Sequence, residues 1–203
     1  MPRPPTFGAD DLASAGLDVV RREGWGAVSV RSVAAAAGVS PMATYRLASD
    51  ADALRRLVAD AAAAGLVPVD TGELFGTLAA WAPSAHDALA RLPGLSSYVL
   101  TTWTELPRWL DIVEALLAAA EHDGLEGPPA VEAVNAVFAY VLARAGLHHA
   151  AAAAGPRRLA PLRARPDRYP LVRAHRAELT VARTRHHFSV GLDALLTGLR
   201  QRE

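Results

Sequence analysis

Two pairs of adjacent histidines, His148-His149 and His186-His187, come nearest to a metal-ligating pattern in this 203-residue chain. Neighbours on a helix point about 100° apart, so both rings of a pair cannot easily close on one ion; the useful spacings are i, i+3 and i, i+4. His122, beside Asp123, stands near a helix end, where the dipole stabilises a cation without any ligand. No metal is expected. Cysteine is absent, which removes thiolate zinc sites, disulfides and cysteine nucleophiles. The chain holds no Gly-x-Ser-x-Gly elbow, phosphate loop or dinucleotide fingerprint. Glu105, Asp111 and Glu114 lie beside apolar helical stretches and read as solvated faces rather than as a general acid or base. Catalytic residues and cofactors are therefore not expected, and the chain does not read as an enzyme.

A different pattern lies near the N-terminus. Ser29 can cap a short helix that Gly38 ends, and Ser40-Pro41 restarts the chain at once. Serine accepts a backbone N–H at a helix start, and proline loses nothing at the first helical position. Two short helices joined by Gly38-Val39-Ser40 have the form of a helix-turn-helix. Ala34 must be small where the second helix crosses it, Gly38 takes a positive φ, and Val39 fills the space between the helices. The recognition helix is short, reaching about Leu47, and its N-terminal residues would enter a DNA major groove.

The run Val33-Ala34-Ala35-Ala36-Ala37-Gly38-Val39-Ser40-Pro41-Met42-Ala43-Thr44-Tyr45-Arg46 resembles the DNA-binding signature of the tetracycline-repressor (TetR) family. The segment Arg185 to Leu199 resembles the last helix of one branch of that family, and Leu92-Pro93-Gly94-Leu95 resembles a turn of the same branch. The resemblance implies an all-helical homodimer whose N-terminal three-helix region binds palindromic double-stranded DNA and whose larger region binds a small-molecule effector. It places Pro41, Met42 and Ala43 against the groove after the capping Ser40, and turns Thr44 inward. Tyr45 and Arg46 then contact the backbone, and Ser29 and Arg31 reach phosphates from the preceding helix. The chain departs from the pattern after Tyr45-Arg46. Leu47 and Ala51 stand where the family usually has His and a phosphate-anchoring Lys. Residues 1–66 also carry seven Arg against seven acids, so any basic face must come locally from Arg31, Arg46, Arg55 and Arg56. The favoured reading is a repressor released from its operator by a small, largely apolar effector. The alternative is the same fold with weakened DNA binding, acting as a small-molecule binder or enzyme through its central cavity.

The elements that position these residues read as helical throughout. Apolar residues recur at helical spacing, and no stretch alternates at period two. The division is 1–66 for the DNA-binding part, including a connecting helix over 50–64, and 67–203 for the effector and dimerisation part. Nine or ten helices are expected: 10–23, 29–38, 40–47, 50–64, 72–91 with a bend at Pro83, 94–103, 107–122, 128–154, 171–181 and 184–201. Residues 155–170, with four prolines and five arginines, read as an extended loop. Trp81, Tyr98, Trp103, Trp109, Phe138 and Tyr140 are the expected pocket lining, because alanine-rich helices pack closely and bulky aromatics among them often border a space. Val134, Val137 and Val141 on one helix, with Phe188, Leu192, Leu195 and Leu199 on the last, are the expected dimer interface.

All 21 basic residues are arginine, and the net charge is zero. Residues 67–155 carry a charge of −7 and residues 156–203 carry +7, which suits docking of one on the other, within a chain or across a dimer; the alternative is a basic tail for nucleic acid or membrane. The opening MPRPPTF lacks the apolar stretch of a secretory signal, and no window reaches about 18 apolar residues without a charge or a breaker, so a cytoplasmic protein without membrane partners is expected.

Overall fold

The computed structural model describes residues 7–154, 165–177 and 185–201, and among them there are ten α-helices and no strand. The helices are α1 (Ala9–Glu23), α2 (Val30–Ala37), α3 (Pro41–Tyr45), α4 (Ala51–Ala61), α5 (Leu74–Leu89), α6 (Leu95–Thr102), α7 (Pro107–His122), α8 (Gly127–Ala154), α9 (Pro170–Ala174) and α10 (Arg185–Arg200). The expected stretch 155–164, and the ends of the expected helices at 178–184, lie outside the described residues.

Local chemistry sets the early boundaries. Ser29 Oγ accepts from Ser32 N at 3.1 Å, and Ser32 Oγ returns a bond to the Ser29 backbone, closing a capping box at the start of α2. Gly38 ends α2 at φ +67°, a left-handed conformation that glycine adopts without strain. Ser40 Oγ accepts from Ala43 N at 3.2 Å, Pro41 takes the first position of α3, and Asp50 caps α4 through Ala53 N at 2.7 Å. Between α1 and α4 the approach is close: a methyl on Gly16 would collide with Val58.

α1 packs on α2 and α4 through Leu12, Val19, Val20, Val33, Leu54 and Val58, all essentially inaccessible. The larger core forms where α5, α6, α7 and α10 surround α8. The two parts join at several points. Trp25 N donates to Pro93 O at 2.7 Å, so the Pro93-Gly94 turn holds the 3₁₀ turn after α1. Asp60 of α4 accepts from Arg108 N at 2.8 Å and caps α7 from another helix.

The stripe expected to meet a second copy is placed differently in the structure. Val134, Val137 and Val141 are 0–1% exposed, and Phe188 and Leu192 are 1% and 3% exposed within one chain. Leu195 and Leu199 are half-buried against the same core. Val134, Val137, Val141, Phe188 and Leu192 are therefore used up in the seam of α8 and α10 inside the protomer, whereas Leu195 and Leu199 keep part of their surface outside it. Gly191 serves that seam, since a methyl there would meet the Tyr140 hydroxyl, which donates to Phe188 O at 2.9 Å. By length and composition alone α8 over Gly127–Leu147 could cross a membrane, although it carries two charged residues and 44% of its most apolar window is buried inside the fold. Its apolarity has a packing cause: neighbours on several sides cover it, and Glu132 and Arg144 interrupt it.

Candidate nucleic-acid interface and aromatic core

Helix α3 presents one face to solvent and one to the protein. Thr44 is fully buried, whereas Met42 is 72% and Tyr45 48% exposed. Pro41 and Arg46 are exposed, Ala43 is half-buried, and Ser29, Arg31 and Ser40 are exposed along the start of α2 and the turn. The side chains of Ser29 and Ser40 are both engaged as caps, so their hydroxyls fix backbone direction before they can serve anything outside. Leu47 is 37% exposed and, with Phe7, Val39, Ala43 and Arg46, borders a hollow of about 300 Å³. Around this face an apolar contact is available at Met42, and a hydroxyl and a guanidinium stand at Tyr45 and Arg46.

The basic face is narrower than the sequence suggests. Arg55 and Arg56 are half-buried on α4, and Arg55 Nε is buried without a hydrogen bond. Arg56 lies near Tyr98, where its charge opposes the rise in the phenol's pKa that burial causes. Arg31 and Arg46 are thus the exposed cations of α2 and α3. The acids that would have opposed them are occupied: Asp18 pairs with Arg21 at 2.6 Å, while Asp10 and Asp60 pair with Arg108. At the start of α4 the Ala53 N–H, helped by the Ser49 hydroxyl, holds the Asp50 carboxyl below its ordinary value, so this cap stays charged at neutral pH.

The six expected pocket aromatics separate into three groups. Trp81, Trp103 and Trp109 surround Phe138 with ring centroids 6.1, 5.5 and 6.1 Å away. Trp81, Trp109 and Phe138 are 4%, 0% and 3% exposed, so the three rings are packed core. Tyr98 instead lies against Trp25 at 4.7 Å, and Tyr140 against Phe188 at 5.4 Å. Tyr140 is partly desolvated, which pushes its phenol pKa up and keeps it a hydrogen-bond donor.

Spacing alone did not reveal what the tryptophans do with their polar atoms. Trp109 Nε1 donates to Ala59 O at 2.9 Å, and Trp81 Nε1 donates to Leu66 O at 2.7 Å. Both acceptors belong to α4 or the turn that ends it. Two indoles of the aromatic cluster thereby hold the connecting helix by its C-terminal end.

No group of three or more His, Asp or Glu capable of holding a metal occurs among the described residues. Glu105, Asp111 and Glu114 are exposed.

An exposed three-residue-turn recognition helix, set in a small helical unit and tied to an all-helical core, defines a helix-turn-helix regulator. A family model described as "Tetracyclin repressor-like, C-terminal domain" matches residues 68–202, and the chain belongs to this TetR family of transcriptional regulators. A search of curated protein sequences finds no match. Among solved structures, the chain is similar to a possible TetR family transcriptional regulator from Streptomyces coelicolor A3(2). That match has a TM-score of 0.81 and 23% identity and covers 96% of this chain and 100% of the other. Apo ActR from Streptomyces coelicolor aligns with a TM-score of 0.79 at 16% identity, over 97% and 96% of the two chains. A TetR variant from Acinetobacter baumannii AYE, in complex with minocycline, aligns with a TM-score of 0.71 at 20% identity, over 97% and 98%.

Proposed function

We propose that the protein is a ligand-responsive repressor that binds a palindromic operator as a homodimer and leaves it when a small, largely apolar effector enters the core. Residues 1–66 form the DNA-binding part and residues 67–203 the effector and dimerisation part. The observation that carries the reading is the pair of indole hydrogen bonds that Trp109 makes to Ala59 of α4 and Trp81 makes to Leu66 of the segment after it. An effector that enters between Phe138 and Trp81 or Trp109 moves one of these tryptophans. The bond to α4 then breaks or takes the helix with it, and α4 follows directly on the recognition helix. Such a switch works only if the effector prefers the arrangement that does not fit DNA. Minocycline in the Acinetobacter protein and (S)-DNPA in ActR are bound by proteins of the same fold, in keeping with an organic effector here.

The groove contacts assigned to Pro41, Met42 and Ala43 are apolar, suited to thymine methyls and offering no bidentate hydrogen bond to a base. Tyr45, Arg46, Arg31 and Ser29 supply backbone contacts, with Ser40 fixing the helix start. Specificity is accordingly modest and spread over few bases. Capture of genomic fragments by the purified protein tests the reading. The expected result is one enriched pseudo-palindrome with half-sites about 34–36 Å apart or somewhat more. Enrichment no better than bulk DNA overturns it.

Dimerisation uses the other face of the last helices. On α8, Ala139, Ala143 and Leu147 remain exposed, and on α10 so do Val190, Ala194 and Gly198, all at spacings of three or four residues. Gly198 has open space around it and admits close approach of a second backbone. A four-helix interface of this kind buries about 2,000 Å² or more. Light scattering at micromolar concentration should give twice the 21.4 kDa chain mass, and a monomer there overturns the assignment. A regulator of transcription acts where the chromosome is, so the cytoplasm is its place.

A further inference from the structure

A cleft of about 270 Å³ lies where α1, the end of α4 and the end of α5 meet, and none of its lining residues belongs to the aromatic cluster around Phe138. Its cause is in the sequence. Ala61, Ala62 and Ala64 at the end of α4, and Ala88 on α5, stop at a methyl where a longer side chain would fill the space. Leu17, Leu66 and Leu92 add apolar wall. Arg21 from α1 and Arg91 from the turn after α5, both exposed, complete the lining. Arg21 is paired with Asp18, whereas the Arg91 guanidinium has no hydrogen-bond or ion-pair partner among the described residues. The C-terminal ends of α1, α4 and α5 lie close by, and their partial negative charge offsets much of the long-range pull of the arginines. What remains is directional: N–H donors in a planar fork above an alanine floor.

We propose that this cleft is a second ligand site, for a small amphipathic carboxylate whose head is held by Arg91, with Arg21 beside it, and whose tail lies on the alanines. The volume sits at the lower edge of small-molecule sites, which suits a tail of roughly six to eight carbons. Because α1 forms one wall and α5 another, an occupant touches both halves of the molecule and its affinity depends on how they sit together. The site does not depend on the effector reading of the aromatic core.

Calorimetric titration of octanoate into the full-length protein tests the proposal. Saturable binding is expected with a dissociation constant on the order of 10⁻⁴ M, as befits a ligand of about ten heavy atoms with one ionic contact. Ala64→Met fills the cleft from its exposed side without touching the core, and should weaken binding at least about tenfold at unchanged Tm; Arg91→Gln should do the same. Octan-1-ol should bind at least about tenfold more weakly than octanoate. No saturation by about 5 mM octanoate, equal binding by Ala64→Met, or equal binding of the alcohol overturns the proposal. Trp103→Ala separates the two sites. Octanoate binding should survive it, and loss there with Ala64→Met unaffected would place the ligand in the aromatic core instead.

Discussion

Replacing Tyr45 and Arg46 together by alanine is expected to lower operator affinity on the order of 10³-fold at 0.1 M salt, with little change in stability. The arithmetic starts from charge. One guanidinium–phosphate contact per subunit is two per dimer, and each contributes about 0.9 to the slope of log K against log salt. Referred to 1 M salt, two contacts are together worth about 60-fold at 0.1 M. The phenols release no counterion; two neutral hydrogen bonds at about 1 kcal/mol each add about 30-fold. Both side chains are exposed, Tyr45 at 48%, so neither removal opens a cavity. The salt slope should therefore fall by about 1.8 in the double variant and in Arg46→Ala, and stay unchanged in Tyr45→Ala. Filter-binding or anisotropy titrations at four salt concentrations measure it. An unchanged slope in the double variant would show that α3 does not face the phosphates, and the helix-turn-helix assignment would be wrong.

Where the sequence was informative, the signal was local. Ser29, Gly38, Ser40 and Asp50 define helix ends through bonds to residues three or four away, Pro41 through its fixed φ, and the observed boundaries of α2, α3 and α4 follow them. Gly65 and Gly72, which take positive φ, likewise mark the joint before α5. Pro83 lies inside α5, which runs through it from Leu74 to Leu89. What is buried against what was not legible. The stripe Val134, Val137, Val141 has the same period whether it meets α5 and α10 of its own chain or a second copy. In the structure it meets its own chain, and smaller residues are left outside. Hydrophobicity does not say which face of α8 meets which neighbour, because α8 is apolar on several sides and its strongest residues lie in the larger core.

The aromatics teach the same lesson at closer range. Four of the six come together, Trp81, Trp103 and Trp109 on Phe138, because α5, α7 and the 3₁₀ turn before α7 all cross α8 there. Tyr98 and Tyr140 lie on the same helices or their neighbours but face Trp25 and Phe188. Nothing in the spacing distinguishes these outcomes. Nor does it show that Trp81 and Trp109 hold α4, because a hydrogen bond across 15 or 50 residues leaves no periodic trace. The half-burial of Arg55 and Arg56 is similar: composition counts their charge, and only packing shows that it is turned toward the core.

That narrowing of the basic face leads to the other large effect. Ala51 is the exposed first residue of α4, next to the capping Asp50, and stands where the resemblance leads one to expect a phosphate-anchoring lysine. Ala51→Lys is expected to raise affinity for operator and for random duplex alike, by about 60-fold at 0.1 M salt, with the gain vanishing towards 1 M. The salt slope should steepen by about 1.8, because two lysines per dimer each displace counterions. Three features act against the gain. Asp50 and Asp52 flank the new ammonium, and a cation in the first turn opposes the helix dipole at a cost of about 0.3–1 kcal/mol in fold stability. Asp50 is held in its cap by Ala53 N, which leaves Asp52 as the freer competitor, so Asp52→Asn in the same chain should recover any shortfall. Ala51→Gln has a similar side-chain length without the charge and should leave the slope where it is. An Ala51→Lys protein with unchanged slope and affinity would mean that the start of α4 does not approach the backbone. The departure at that position would then reflect a different docking geometry rather than a missing contact.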